Sequence, residues 1–130
     1  MDSSGVGYDL TAEAYIRQLG QRGVEVVFAN SGTDFAPIIE AISRTHGSQA
    51  VPRFITVPHE NLAMSMAYGY YRASGKIAGV MVHVSVGTAN ALCGLMNAAK
   101  DNVPILLAAG RTPVSETGHI ASRNRPIHWG

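Results

Sequence analysis

The sequence predicts an α/β domain built on a doubly wound, mainly parallel sheet with helices on both faces. Three observations carry that prediction. Short β-branched runs alternate with stretches of helical period along the chain. The run Ile77 to Val84 is apolar on nearly every successive residue rather than on alternate ones, as a parallel strand covered on both sides requires. The 130 residues, 46% of them hydrophobic, suffice for one domain with a core and are too few for two.

Each element has a local reason. Asp9 is placed to cap a first helix, Leu10 to Arg22, with Ala14, Ile16 and Leu19 inward and Gly23 at its end. Val24 to Ala29 reads as a strand, followed by the turn Asn30-Ser31-Gly32-Thr33-Asp34. Phe35 to Thr45 reads as a helix whose Pro37 falls in the tolerant first turn. Phe54 to Val57 is a second strand, stopped by Pro58. His59 to Ser74 is a helix closed by Gly75. Leu62, Ala63, Met66, Ala67 and Tyr70 share one face, but Met64, Tyr68 and Tyr71 do not, so cover from more than one side is expected. Ile77 to Val84 is the third strand. Ser85-Val86-Gly87-Thr88 is expected as a turn, and Ala89 to Lys100 as a helix with Leu92, Leu95, Met96 and Ala99 inward. Val103 to Ala109 is the fourth strand, and Gly110 to Gly130 shows no clear period. Right-handed crossovers then give a flavodoxin-like arrangement, which binds ligands beyond the carboxyl ends of its strands. Three segments lie at that edge: 30–34, 58–61 and 83–90.

Composition removes several functions. Ten basic against nine acidic side chains give a net charge of +1, which argues against a nucleic-acid binder. Charged residues make up only 15%, so part of the surface is expected to lie against other protein. The single cysteine, Cys93, reads as a small core residue; it excludes an internal disulfide and fits a reducing cytoplasm. Met1 to Gly5 holds no basic region leading into an apolar one, so no secretory leader is expected, and no run approaches a membrane span.

Among candidate sites, Glu60 stands first, in the first turn of a helix just past a strand end. It is either a carboxylate favoured by the helix dipole or one facing a ligand in a poorly charged cleft, where loss of water favours the protonated form. Gly32 and Gly87 follow strands and precede helices; they serve either tight connections or the close approach of backbone N–H groups to a ligand. Neither fits Gly-x-Gly-x-x-Gly, and Gly69 to Lys76 fails the phosphate-loop pattern in both spacing and its final residue. His83-Val84-Ser85-Val86-Gly87 matches half of a nucleophile elbow, with His in place of the first glycine, so a Ser85 hydrolase is a minor alternative. His83 ends an apolar strand at the ligand edge, where a structural role competes with a functional one. The five histidines lack zinc-site spacing, and no metal ligands are expected. Arg111, Arg123 and Arg125 read as solvated surface.

Three segments in register, VEVVFANSGTDFAPI (24–38), HENLAMSMAYGYYRASGK (59–76) and HVSVGTANALCGLMNAAKDNVPILLAAG (83–110), together resemble one family. They are similar to the N-terminal, pyrimidine-binding domain of thiamin-diphosphate-dependent enzymes, the group of acetohydroxyacid synthase and benzoylformate decarboxylase. The resemblance implies that Glu60 hydrogen-bonds N1′ of the cofactor's aminopyrimidine, and that the proton so shared readies the ring to deprotonate C2 of the thiazolium. It implies a 2-keto acid substrate, decarboxylated or joined to a second carbonyl. His83 matches a proton-relay histidine of the decarboxylase, and Thr33 its substrate-contacting hydroxyl. Ser31, Gly32, Gly87, Thr88 and Asn90 match turns bordering the cofactor. Two departures stand out: Ser31 replaces a usual proline, and the Gly-Asp-Gly of the diphosphate domain is not in the chain. The expectation is therefore a domain, residues 1–130, incomplete at its C-terminus. Its Mg²⁺ and diphosphate would be held by a diphosphate-binding domain of the same or another subunit in a homo-oligomer. The competing expectation is a non-catalytic assembly or regulatory module with the same fold.

Overall fold

In the computed structural model the described residues are 10–45 and 51–111. Four parallel strands alternate with helices: α1 (Thr11–Gln21), β1 (Val26–Ala29), a single 3-10 turn (Thr33–Phe35), α2 (Ala36–Arg44), β2 (Arg53–Thr56), α3 (Glu60–Ser74), β3 (Gly79–Val82), α4 (Val84–Lys100) and β4 (Leu106–Ala109). The strand order is β2-β1-β3-β4, and every pairing is parallel. This is the doubly wound, flavodoxin-like order, and its direction reverses between β1 and β3.

The pleat divides the central strands between two cores. Val26 and Phe28 of β1, with Val80 and Val82 of β3, pack with Ala63, Met64 and Ala67 of α3 and Ala91 of α4. Val27 faces the other way, onto Leu19 of α1 and Val24, with Tyr15, Phe54 and Met81 alongside. The expected Ile16 and Leu19 are buried. Ala14, on the opposite side of α1, is exposed, and Glu13 is buried instead, 3.7 Å from Arg44 of α2. Leu10 occupies the cap position of α1; Asp9, the expected cap, lies outside the described residues. Gly75 terminates α3 at φ +71°, a left-handed conformation that a side chain would strain, and its N–H closes on Tyr71 O.

Three expectations for α4 are corrected. It begins at Val84, so Ser85 to Thr88 is its first turn and not a loop. Its buried face is Gly87, Ala91, Gly94 and Ala98, whereas Leu92, Met96 and Ala99 are exposed. Cys93 is exposed as well, not a core residue. The reason is the closeness of α3: a Cβ on Gly94 would overlap the Met64 Cβ, so α4 can present only small residues to α3. On α3, Ala63, Met64 and Ala67 are buried, and Leu62 and Met66 face outward. Strands β3 and β4 are also shorter than expected: β3 ends at Val82 because α4 begins at Val84, and β4 begins only at Leu106, two residues past Pro104, which has no N–H to give the ladder.

One exposed contact ties β1 to the end of α3. Lys76 Nζ lies 2.5 Å from Glu25 Oε1, and Tyr70 Oη donates to Glu25 Oε2 at 3.2 Å. The Lys76 hydrogen bond holds the Glu25 carboxyl below its ordinary range, and Lys76 is held above its own. The carboxylate's contribution to stability is therefore complete above the unfolded carboxyl range and lost as pH falls through the lowered folded value. The ammonium's contribution is lost as pH rises through its raised value. Glu25→Gln should flatten the acid limb of a plot of urea midpoint against pH, by an amount that molar salt largely erases. An acid limb that keeps its slope in the variant would contradict this.

Candidate functional site

The three predicted segments meet at the carboxyl edge of the sheet. Asn30 ties their strands together there: its Nδ2 donates to Val57 O at 2.8 Å, and its backbone N–H donates to Met81 O at 3.0 Å. Val57 N–H in turn donates to Ala29 O. One residue just past β1 thus fastens the ends of β2, through its side chain, and β3, through its backbone. Sequence reasoning placed Asn30 in a turn and missed this role, because the partners are set by strand order.

Glu60 is the first residue of α3. His59 caps the helix, its Nδ1 accepting the Asn61 N–H at 3.1 Å. The position favours a negative charge through the helix dipole, yet the side chain does not point to water. Glu60 is 7% exposed. Its Oε2 accepts a hydrogen bond from Asn90 Nδ2 of α4 at 3.1 Å. Among the described residues Oε1 accepts none. Beside it runs the backbone of Gly87, where a Cβ would stand 3.2 Å from Oε1 and 3.1 Å from Val82 Cβ. The arrangement is a buried carboxyl with one oxygen held and the other presented, next to a backbone kept bare.

His83 caps the N-terminus of α4, with its carbonyl accepting the Gly87 N–H at 2.8 Å. Its Nδ1 lies 2.5 Å from Asp34 Oδ1. The next residue, Val84, has φ +35°, an outlier for a β-branched side chain. Such strain persists only where neighbours over-determine the backbone. Here the Val84 carbonyl accepts Thr88 Oγ1 at 2.7 Å, while Gly87 N–H holds the carbonyl before it. The structure thus brings Glu60, Gly87 and Asn90 into one group and Gly32 and His83 into another, joined through the first turn of α4. Thr88 spends its hydroxyl within the helix. Ser31 and Thr33 lie exposed on the β1 loop. Ser85 is exposed, and its hydroxyl hydrogen-bonds to none of the described residues, so among them no base activates it as a nucleophile. Arg111 is exposed as expected; Arg123 and Arg125 lie outside the described residues.

Residues 10–127 match the model of the thiamine pyrophosphate enzyme family's N-terminal TPP binding domain, thiamine pyrophosphate being another name for thiamin diphosphate. The chain belongs to this family. Within it, the acetolactate synthase large subunit of Haemophilus influenzae is 36% identical over 100 residues, 77% of this chain and 17% of that protein. The mitochondrial acetolactate synthase catalytic subunit of Saccharomyces cerevisiae is 34% identical over 119 residues, 91% of this chain and 16% of that one. Among solved structures, the thiamine diphosphate-dependent 4-hydroxybenzoylformate decarboxylase of Rhodococcus jostii superposes with a TM-score of 0.68 at 27% identity, covering 79% of this chain and 19% of that one. The chain thus spans less than a fifth of the length of these thiamine pyrophosphate enzymes. Among the described residues no helix is long and apolar enough to cross a membrane, and no cluster of three or more His, Cys, Asp or Glu could hold a metal ion.

Proposed function

We propose that this chain, residues 1–130, is the aminopyrimidine-binding domain of an enzyme that uses thiamin diphosphate to decarboxylate or join 2-keto acids. The observation that carries the reading is Glu60: buried, held through Oε2 by Asn90, with Oε1 open beside the bare backbone of Gly87. These residues fit a flat nitrogen heterocycle, which needs one proton-sharing carboxyl and unobstructed backbone around it. Bound thiamin diphosphate would supply the electron sink on which a 2-keto acid loses carbon dioxide. The chain's own share is narrower. Glu60 holds a proton for the ring nitrogen, and Asn90 keeps the carboxyl turned. Ser31, Gly32, Gly87 and Thr88 border the ring, His83 moves protons near the substrate, and the Thr33 hydroxyl contacts it.

The diphosphate and Mg²⁺ belong, in this reading, to a diphosphate-binding domain of the same or another subunit in a homo-oligomer. The outward apolar residues of the two helices that carry Glu60 and Asn90 support that arrangement: Leu62 and Met66 of α3, and Val86, Leu92 and Met96 of α4. The proposed compartment is the cytoplasm, in keeping with an exposed free thiol at Cys93. The relative from Saccharomyces cerevisiae is mitochondrial.

Titration calorimetry on the full-length enzyme with thiamin diphosphate and Mg²⁺ tests the reading. Saturable binding, weakened in Glu60→Gln, is expected. Binding that is indifferent to Glu60, or subunit association with no cofactor binding at all, would favour a non-catalytic assembly module instead.

A further inference from the structure

Asp34 lies in the edge segment 30–34 but carries no role in the sequence reading, yet its side chain is only 6% exposed and its Oδ1 lies 2.5 Å from His83 Nδ1. A buried carboxylate is normally hydrogen-bonded through both oxygens. Here Oδ2 is buried and has no hydrogen-bond partner among the described residues, and His83 is the one hydrogen-bonding contact of this carboxylate side chain among them. The cavity against Asp34 is about 320 Å³, lined by Tyr15, Phe35, Ile38, Met81 and Ala108 among others. In such mainly apolar surroundings a hydrogen bond to a charged group is strengthened.

Two backbone positions clear the space for this pair. A Cβ on Gly32 would overlap the His83 imidazole, and one on Gly110 would overlap Asp34 Oδ2. The pair is therefore cradled from the β1 loop on one side and from the end of β4 on the other. An ionised carboxylate can only accept, so the hydrogen between the two atoms sits on Nδ1. In a neutral imidazole that leaves Nε2 as the bare nitrogen, and Nε2 hydrogen-bonds to none of the described residues.

We infer that Asp34 is a positioning residue for His83: it fixes the ring's orientation and its Nδ1–H tautomer, leaving Nε2 to accept and return protons. The inference rests on the reading of His83 as a proton relay, which it deepens. The same division of labour, one nitrogen held so that the other can work, recurs wherever a carboxylate orients a catalytic imidazole.

Long-range ¹H–¹⁵N spectra of the ¹⁵N-histidine-labelled full chain, taken well above the ordinary imidazole range, report the tautomer directly. The expected result is His83 protonated on Nδ1, with most of that signal lost to the Nε2–H form in Asp34→Ala. A parent chain carrying the proton on Nε2 would overturn the inference. So would a folded Asp34→Ala chain that keeps it on Nδ1. Should the alanine variant not fold, the parent spectrum still decides. The measurement needs no cofactor, so its failure is distinct from failure of the calorimetric test at Glu60.

Discussion

Glu60→Gln in the full-length enzyme is expected to lower turnover by about 10²–10⁴-fold, the range associated with loss of a positioned proton donor or acceptor. The substitution is chosen because it removes one property only. Glutamine has the shape of glutamate, and its amide oxygen can take the place of Oε2 in accepting the Asn90 Nδ2 hydrogen at 3.1 Å. The first turn of α3, its His59 cap and the packing against Gly87 should all persist. What the amide cannot do is release and recover a proton. The variant should therefore keep its thermal midpoint close to the parent's while losing rate. Steady-state kinetics on the two proteins, paired with thermal melts, make the comparison. Turnover within about threefold of the parent would remove Glu60 from the chemistry and reduce it to a helix-dipole carboxylate.

The second large effect is on stability. Gly94→Leu should destabilise the chain by about 3 kcal/mol, because a side chain there must displace Met64, which is fully buried beneath α4. For a domain of this size that lowers the thermal midpoint by roughly 10 °C or more. Gly69 supplies the control. It lies within α3, its Cβ would meet nothing within 4 Å, and Gly69→Ala should stabilise by up to about 1 kcal/mol through helix propensity alone. Opposite signs at two helical glycines would distinguish close packing from a general intolerance of substitution. A Gly94→Leu chain that melts at or above the parent temperature would show that α3 and α4 are not in close contact. The strain should also reach the site, since Glu60 precedes Met64 by one turn and Asn90 precedes Gly94 by one turn. Spreading the helices at Gly94 pulls at the Asn90–Glu60 hydrogen bond.

Much of the site was legible in the chain because it depends on where strands end. Phe54 to Val57 followed by Pro58 locates Glu60 at the ligand edge, and the apolar run reaching His83 does the same for the third segment. The periodicity of α4 was legible too, but its orientation was not. Leu92, Met96 and Ala99 share a helical face as truly as Gly87, Ala91, Gly94 and Ala98 do. Hydrophobicity favours the first set as the inner one. The distance between two helix backbones selects the second. Likewise Ser85 to Thr88 has the composition of a turn, while the reversal itself falls at Val84, whose positive φ no propensity would predict.

By itself the chain's order of apolar runs and breakers determined a parallel α/β sheet, its carboxyl edge, and Glu60, His83 and Asn90 as residues on that edge, since these follow from local period and strand direction. Only the tertiary structure decided which of them touch. Asp34 and His83 are 49 residues apart, and they meet because β1 and β3 are neighbours where the sheet changes direction. Glu60 and Asn90 meet because small residues let α3 and α4 close on each other. Contacts of that kind depend on how whole elements are arranged in space, which the residues flanking either partner do not encode.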